Sequence, residues 1–328
     1  MTFYTLYGTI ISLDGNTHIR KKGESNMPAY LSHAIMGEDL HKKSESDEKL
    51  FKVSVEKESL KANSLGQDLS MVSNALNKYD AHNLNTKLFF MNLVKYIKDN
   101  KLYENERVMS LLYGQIAHYF LDVNTHPLIY YIEAGCKSPN AIPSHMLVEG
   151  YLSSYMAEKI LGKDYMSLKG SYLGHLDLND KEVQDLIKWV YMKTYGDKQA
   201  LFSYKSEFSA LKFVEDITKN PHLSSKEKLI KVSKFREFLE MNKLSLGEIT
   251  NDSNATWTNP QTNERHSESF MELYDKSITE SQEAISRVNG FIYDGNSIDT
   301  LNSVFTDLSF DTGVSCSLGK DLKYVRKI

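Results

Sequence analysis

The sequence predicts an all-α protein, a multi-helix bundle packed around one core, and three observations carry that expectation. From Pro28 onward the apolar residues recur at helical spacing, no segment sustains strand alternation, and glycines and prolines fall mostly at the joins. The 328 residues are 41% hydrophobic, which is enough apolar material for one large core or at most two domains.

The elements follow in order. Residues 1–26 read as a leader or arm that need not be native: β-branched residues mix with the turn residues Asp14, Gly15 and Asn16, without a helical period. No basic segment precedes this apolar start and no small-residue cleavage site follows it, so it is a poor export signal. Lys21-Lys22-Gly23-Glu24 could derive from a purine-rich ribosome-binding site, which makes Met27 a second candidate start beside Met1. Residues 27–328 are then expected to form a single domain. Its helices are expected at Ala29 to Lys43, Asp47 to Ala62, Asn85 to Asp99, Glu104 to Val123, Ser144 to Leu161, Asp180 to Tyr195, Ala200 to Thr218, Ser225 to Asn242 and Ser267 to Gly290. Phe89, Leu93 and Ile97 set the period of the third, and Asn85 or Thr86 caps it. The polar stretch from Asn251 to Ser267, containing Trp257 and Pro260, reads as one long loop.

Composition excludes several function classes. A net charge of -4 and a pI near 6.2 argue against duplex nucleic acid as a partner, because such surfaces need an excess of Lys and Arg. No run of 18 apolar residues exists to span a bilayer, and the cytoplasm is expected in preference to export. No obligate protein partner is evident. Cys136 and Cys316 stand outside any CxxC pair, so a bound metal must be held by His and carboxylates.

The spacing of those residues is informative. His118 and Asp122 lie four apart on a helix and project from one face as a two-ligand clamp. His126 follows four residues on, and Pro127 is expected to turn it out of helical geometry toward a second metal. A second clamp, His145 and Glu149, stands on the helix after Pro143. One such pair alone is more often a surface pair worth about 0.3 kcal/mol. Two pairs together with His126 point to zinc, which favours imidazole and carboxylate where thiolates are absent. Of the other histidines, His41 reads as a solvated helix end, His18 lies in the leader, and His175 and His222 sit beside turn residues. His266, in the polar loop, has contact with a substrate phosphate as its functional reading.

The run His118-Tyr119-x-x-Asp122-Val123-Asn124, then His126, then His145-x-x-x-Glu149, resembles the zinc-dependent phospholipase C family. Met27-Pro28-Ala29-Tyr30-Leu31-Ser32-His33, the Ser64-Leu65-Gly66-Gln67-Asp68 turn and His82 look like that family's other ligand-bearing segments, in the same order. The resemblance covers residues 27–161. It implies one zinc held by Asp68, His82, His118 and Asp122, and a second held by His126, His145 and Glu149. A third ion, using His33, Asp122 and a terminal amine, would depend on whether Pro28 becomes the N-terminal residue.

The implied reaction is attack of zinc-bound hydroxide on a phosphodiester, with a glycerophospholipid giving diacylglycerol and a phosphorylated head group. Asp68, Asp122 and Glu149 would be the catalytic carboxylates, Asp68 orienting or deprotonating the water, and contact with a membrane surface would be transient. Tyr79 and Tyr119 are the aromatic residues near the ligands able to receive a choline head group. Two alternatives stay open: a nucleotide or single-strand nucleic-acid phosphodiesterase on the same scaffold, and a non-catalytic interaction protein with structural zinc. For the start site, mass spectrometry of the protein made from its own locus is expected to find no peptide spanning Arg20 to Pro28; such a peptide would exclude Met27.

Overall fold

The run from Val108 to Tyr130 is too apolar on every side to face water, and the fold is built around it. The computed structural model describes residues 4–6, 9–11, 30–138, 143–168, 170–218 and 235–326. Within them the helices are α1 (Tyr30–Ser46), α2 (Lys57–Asn63), α3 (Met71–Asn77), α4 (Thr86–Asp99), α5 (Glu106–Glu133), α6 (Ser144–Leu161), α7 (Lys181–Tyr195) and α8 (Ala200–Thr218). A helix over 235–242 (α9), α10 (Leu246–Thr250) and α11 (Phe270–Tyr293) complete the set. The protein is an all-α multi-helix bundle, as the periodicity predicts.

Every residue of α5 from Val108 to Tyr130 is buried, and α1, α2, α6, α7 and α11 pack around it. Asn105 starts the helix by accepting hydrogen bonds from the backbone N–H groups of Arg107 and Val108. The longest partner, α11, begins with a capping box of Ser269 and Glu272 and lays Leu273, Ile278, Ile285 and Val288 into the core. Asp180 caps α7, which ends at Gly196 in the left-handed region.

Four expectations change. The helix expected over Asp47 to Ala62 is formed only as Lys57–Asn63. Residues 47–56 are turn and coil, opened by the Asp47 carboxylate accepting from the Lys49 N–H. The helix expected to end at Val123 runs on through Pro127 to Glu133, so His126 stays helical. Burial along the whole of α5 outweighs the local preference of a residue preceding proline. Pro127 leaves the Val123 carbonyl without its helical donor, and Gly313, at φ +66°, lies so close to that carbonyl that a Cβ there would overlap it.

The polar stretch 251–267 is also structured. Strands β3 (Trp257–Thr258) and β4 (Arg265–His266) pair antiparallel, the Trp257 ring stacks on His266 at 4.4 Å, and Asn251 donates to the carbonyls of Ala255, Ser267 and Glu268. At the other end of the chain, residues 4–6 and 9–11 also pair antiparallel. Residues 27–29 and the 225–234 part of an expected helix lie outside the described residues. No helix among the described residues is long and apolar enough to cross a membrane.

Candidate metal centre

Helix α5 carries His118, Asp122 and His126 down one face at successive turns, all buried. The five other residues singled out by the sequence come to this face from four elements. His33 stands on α1, Asp68 on the 3-10 turn Gly66–Ser70, His82 in the loop before α4, and His145 and Glu149 on the first turns of α6. The turn can approach α5 because residue 66 is glycine. Its φ is +51°, and a Cβ on it would overlap the His118 imidazole.

The eight side chains form two groups joined by Asp122. On one side His118 Nε2 lies 3.2 Å from Asp122 Oδ2, His82 Nε2 lies 3.2 Å from Asp68 Oδ1, and His33 Nε2 lies 3.3 Å from Asp122 Oδ1. On the other, His126 Nε2 and His145 Nε2 lie 3.1 Å and 3.0 Å from Glu149 Oε1, and His126 Nε2 is 3.7 Å from Asp122 Oδ1. Ligand atoms of His82, His118 and Asp122 lie within 4.8 Å of one another, as do those of His126, His145 and Glu149, and those of His33, Asp68 and His118.

These short distances are mostly not hydrogen bonds. Asp68 Oδ1 and Oδ2, His82 Nε2, His118 Nε2, Asp122 Oδ2, His145 Nε2 and Glu149 Oε2 are all buried without a hydrogen-bond partner. Each such atom costs about 1–3 kcal/mol when it is left unsatisfied. Cations held among them relieve that cost, and a donor set of imidazole and carboxylate fits zinc.

The orientation of the second group is fixed from outside, by residues the sequence reading missed. His126 Nδ1 donates to the Phe310 carbonyl at 2.9 Å and His145 Nδ1 to Glu133 Oε1 at 3.3 Å, so that each Nε2 faces the centre. Glu133 lies seven residues beyond His126 on the same helix, a helical spacing that could have flagged it. The Phe310 carbonyl is a backbone group near the far end of the chain, with no sequence signature.

The tyrosines considered for a head group are engaged elsewhere. Tyr79 donates to Asp197, and the Tyr119 ring is buried against Phe90, Phe120 and Phe310. His266 is held in its stack with Trp257, His41 faces the Val55 carbonyl at 3.0 Å, and His175 lies beside Glu56. His18 and His222 lie outside the described residues.

Burial disfavours charge on every imidazole here, and the carboxylates decide which histidines become charged nonetheless. The negative charge of Asp68, 3.2 Å away, outweighs burial at His82 and raises its pKa to about 10. Glu149 and Glu133 do the same at His145, also to about 10. His118, where burial prevails and His33 and His82 add repulsion, is held well below the usual range and stays neutral. Asp122 is held well below the carboxylate range, against its burial, by His126 and His33.

Two outcomes follow. Gly66→Ala is expected to lose about 1–3 kcal/mol of stability and to lower the zinc content, read from denaturant midpoints and metal analysis. In the metal-free protein, His82 and His145 contribute stability that is fully present below pH 6.5 and is lost as pH rises toward 10. Zinc must displace those protons, so its affinity is expected to increase from pH 6 to pH 9, with protons released on binding. Chelator competition across that range, in weakly buffered solution, measures both.

No curated protein and no solved structure matches the chain. The family model described as zinc dependent phospholipase C matches residues 27–220, a span that holds all eight side chains of the centre. With buried imidazole and carboxylate groups suited to zinc, and with that match over more than half its length, the chain belongs to the zinc-dependent phospholipase C family and is a zinc-dependent phosphodiester hydrolase.

Proposed function

We propose that this hydrolase is a phospholipase C, which splits a glycerophospholipid into diacylglycerol and a phosphorylated head group. The observation that carries this reading is the cleft over the centre. Ser32, His33, Asp122, Thr125, His126 and Glu149 form its polar side, while fewer residues, Leu121, Ile129, Leu152 and Phe270, form its apolar side. That pairing suits a substrate whose scissile phosphodiester is attached to a diacylglycerol.

The residues divide the work by position. Asp122 lies between the two groups and ties them into one centre. Asp68 is buried with both carboxylate oxygens free of hydrogen bonds, which suits it to orient the attacking water and accept its proton. Glu149 faces His126 and His145 and completes the second ligand set. Bound zinc would supply Lewis acidity at the phosphoryl oxygens and lower the pKa of water at the site. The ligand sets would hold two ions, and a third would draw on His33 together with a terminal amine. The substrate would be met in transient contact with a membrane surface, on the cytoplasmic side.

The test offers the purified protein vesicles of mixed phosphatidylcholine, phosphatidylethanolamine and phosphatidylglycerol in one arm and single-stranded DNA in the other. Diacylglycerol release is expected from the vesicles, falling to background with a chelator and in the Asp122→Asn and His118→Ala variants. Cleavage of DNA alone would give the site to a nucleic-acid phosphodiesterase. One zinc or fewer per chain, with no chelator-sensitive hydrolysis, would make the metal structural.

A further inference from the structure

The ligands of the centre all precede residue 150, yet the residues that hold two of them in place lie beyond 300. Residues 309–313 form a tight turn, with the Ser309 N–H donating to the Val314 carbonyl and the Gly313 N–H to the Ser309 carbonyl. The turn is bound on two sides. Toward the first ligand group, the Phe310 N–H donates to the His82 carbonyl at 2.9 Å, Asn83 Nδ2 donates to Asp311 Oδ2 at 2.5 Å, and Ser309 Oγ donates to Asn83 Oδ1 at 2.5 Å. Toward the second, the Phe310 carbonyl accepts from His126 Nδ1 at 2.9 Å and Asp311 Oδ1 accepts from the Tyr130 hydroxyl at 3.2 Å. The Phe310 ring itself stacks on His82, 5.1 Å away and 13° from parallel.

Asp311 is the residue on which these ties converge. It is a carboxylate only 2% exposed, a placement that is costly unless the charge has partners. Lys320 Nζ supplies one at 3.0 Å, Asn83 and Tyr130 supply two more, and the Tyr130 ring lies 4.9 Å from His145. Satisfying one buried carboxylate therefore fixes a neighbour of His82, a neighbour of His126 and the backbone carbonyl that orients His126.

We propose that residues 309–313 act as a brace across the metal centre, with Asp311 as its positioning residue: by anchoring Asn83 and Tyr130 it keeps His82 and His126 at the separation and orientation that two metal ions require. This inference rests on the metal-binding reading of the centre and goes beyond it, because the brace lies outside the matched span 27–220. Groups that orient metal-ligating histidines commonly change affinity about 10- to 100-fold when removed. The Phe310 carbonyl, placed by Asp311, is such a group for His126.

The test loads metal-free full-length protein with zinc and, separately, with cobalt(II), measuring affinity by chelator competition and ligand geometry by the visible cobalt spectrum. Asp311→Ala is expected to weaken binding of at least one ion about tenfold or more and to change the cobalt spectrum. Asp311→Asn, which keeps the shape and one acceptor oxygen, is expected to recover part of both. Asn83→Ala, at a partly exposed position, breaks the ties on the His82 side from the other end and keeps the test decisive if Asp311→Ala does not fold. Folded variants with wild-type affinity and an unchanged cobalt spectrum would overturn the brace. Failure of the wild-type chain to bind either metal would overturn the metal reading and the brace with it.

Discussion

The structure depends on one constraint: a helix buried on every side carries three ionisable side chains along one face. His118, Asp122 and His126 would each be costly in an apolar interior if they stood alone. The surrounding elements are placed so that they do not. Helix α1 brings His33, the Gly66–Ser70 turn brings Asp68, the loop before α4 brings His82, and α6 brings His145 and Glu149. The low dielectric that makes an unpaired charge so unfavourable also makes each of these pairings strong, which gives the fold one arrangement of this face rather than several.

That arrangement explains why so many polar atoms are left open at the centre of a well-packed protein. Helices and a short turn, rather than mobile loops, carry seven of the eight side chains, and hydrogen bonds from behind set the rings of His126 and His145. The open valences therefore point at one another and not at protein donors. A divalent ion entering such a site would meet side chains already oriented and would replace protons on the imidazoles of His82 and His145, which neighbouring carboxylates keep charged. Metal-free and metal-loaded protein would differ chiefly in protonation.

How much of this could be read from the sequence depended on distance along the chain. The side chains that the fold brings together were legible as candidates because His118, Asp122 and His126, and again His145 and Glu149, repeat at the helical period, and because Asp68 and His82 stand in segments of recognisable pattern. The bundle was legible from the same period. Pro127 misled because a local rule was applied to a helix whose stability comes from burial on all sides. The segment 47–56 misled because Leu50, Val53 and Val55 give an apolar spacing that the Asp47 turn interrupts. Phe310 and Asp311 were invisible for another reason: one acts through its backbone, and neither has periodicity or motif to connect it with histidines some two hundred residues earlier.

That separation has a consequence for biosynthesis. His126 and the Phe310 carbonyl are 184 residues apart, and Asn83 and Asp311 are 228 apart. When Glu149 leaves the ribosome every side chain of the candidate metal centre has been made, but more than half of the 328 residues are still to come. Contacts of such span close late, after the intervening chain has collapsed. The nascent polypeptide thus carries the side chains of the centre well before it carries the turn that packs against them, and tight zinc capture would have to wait until that turn has closed.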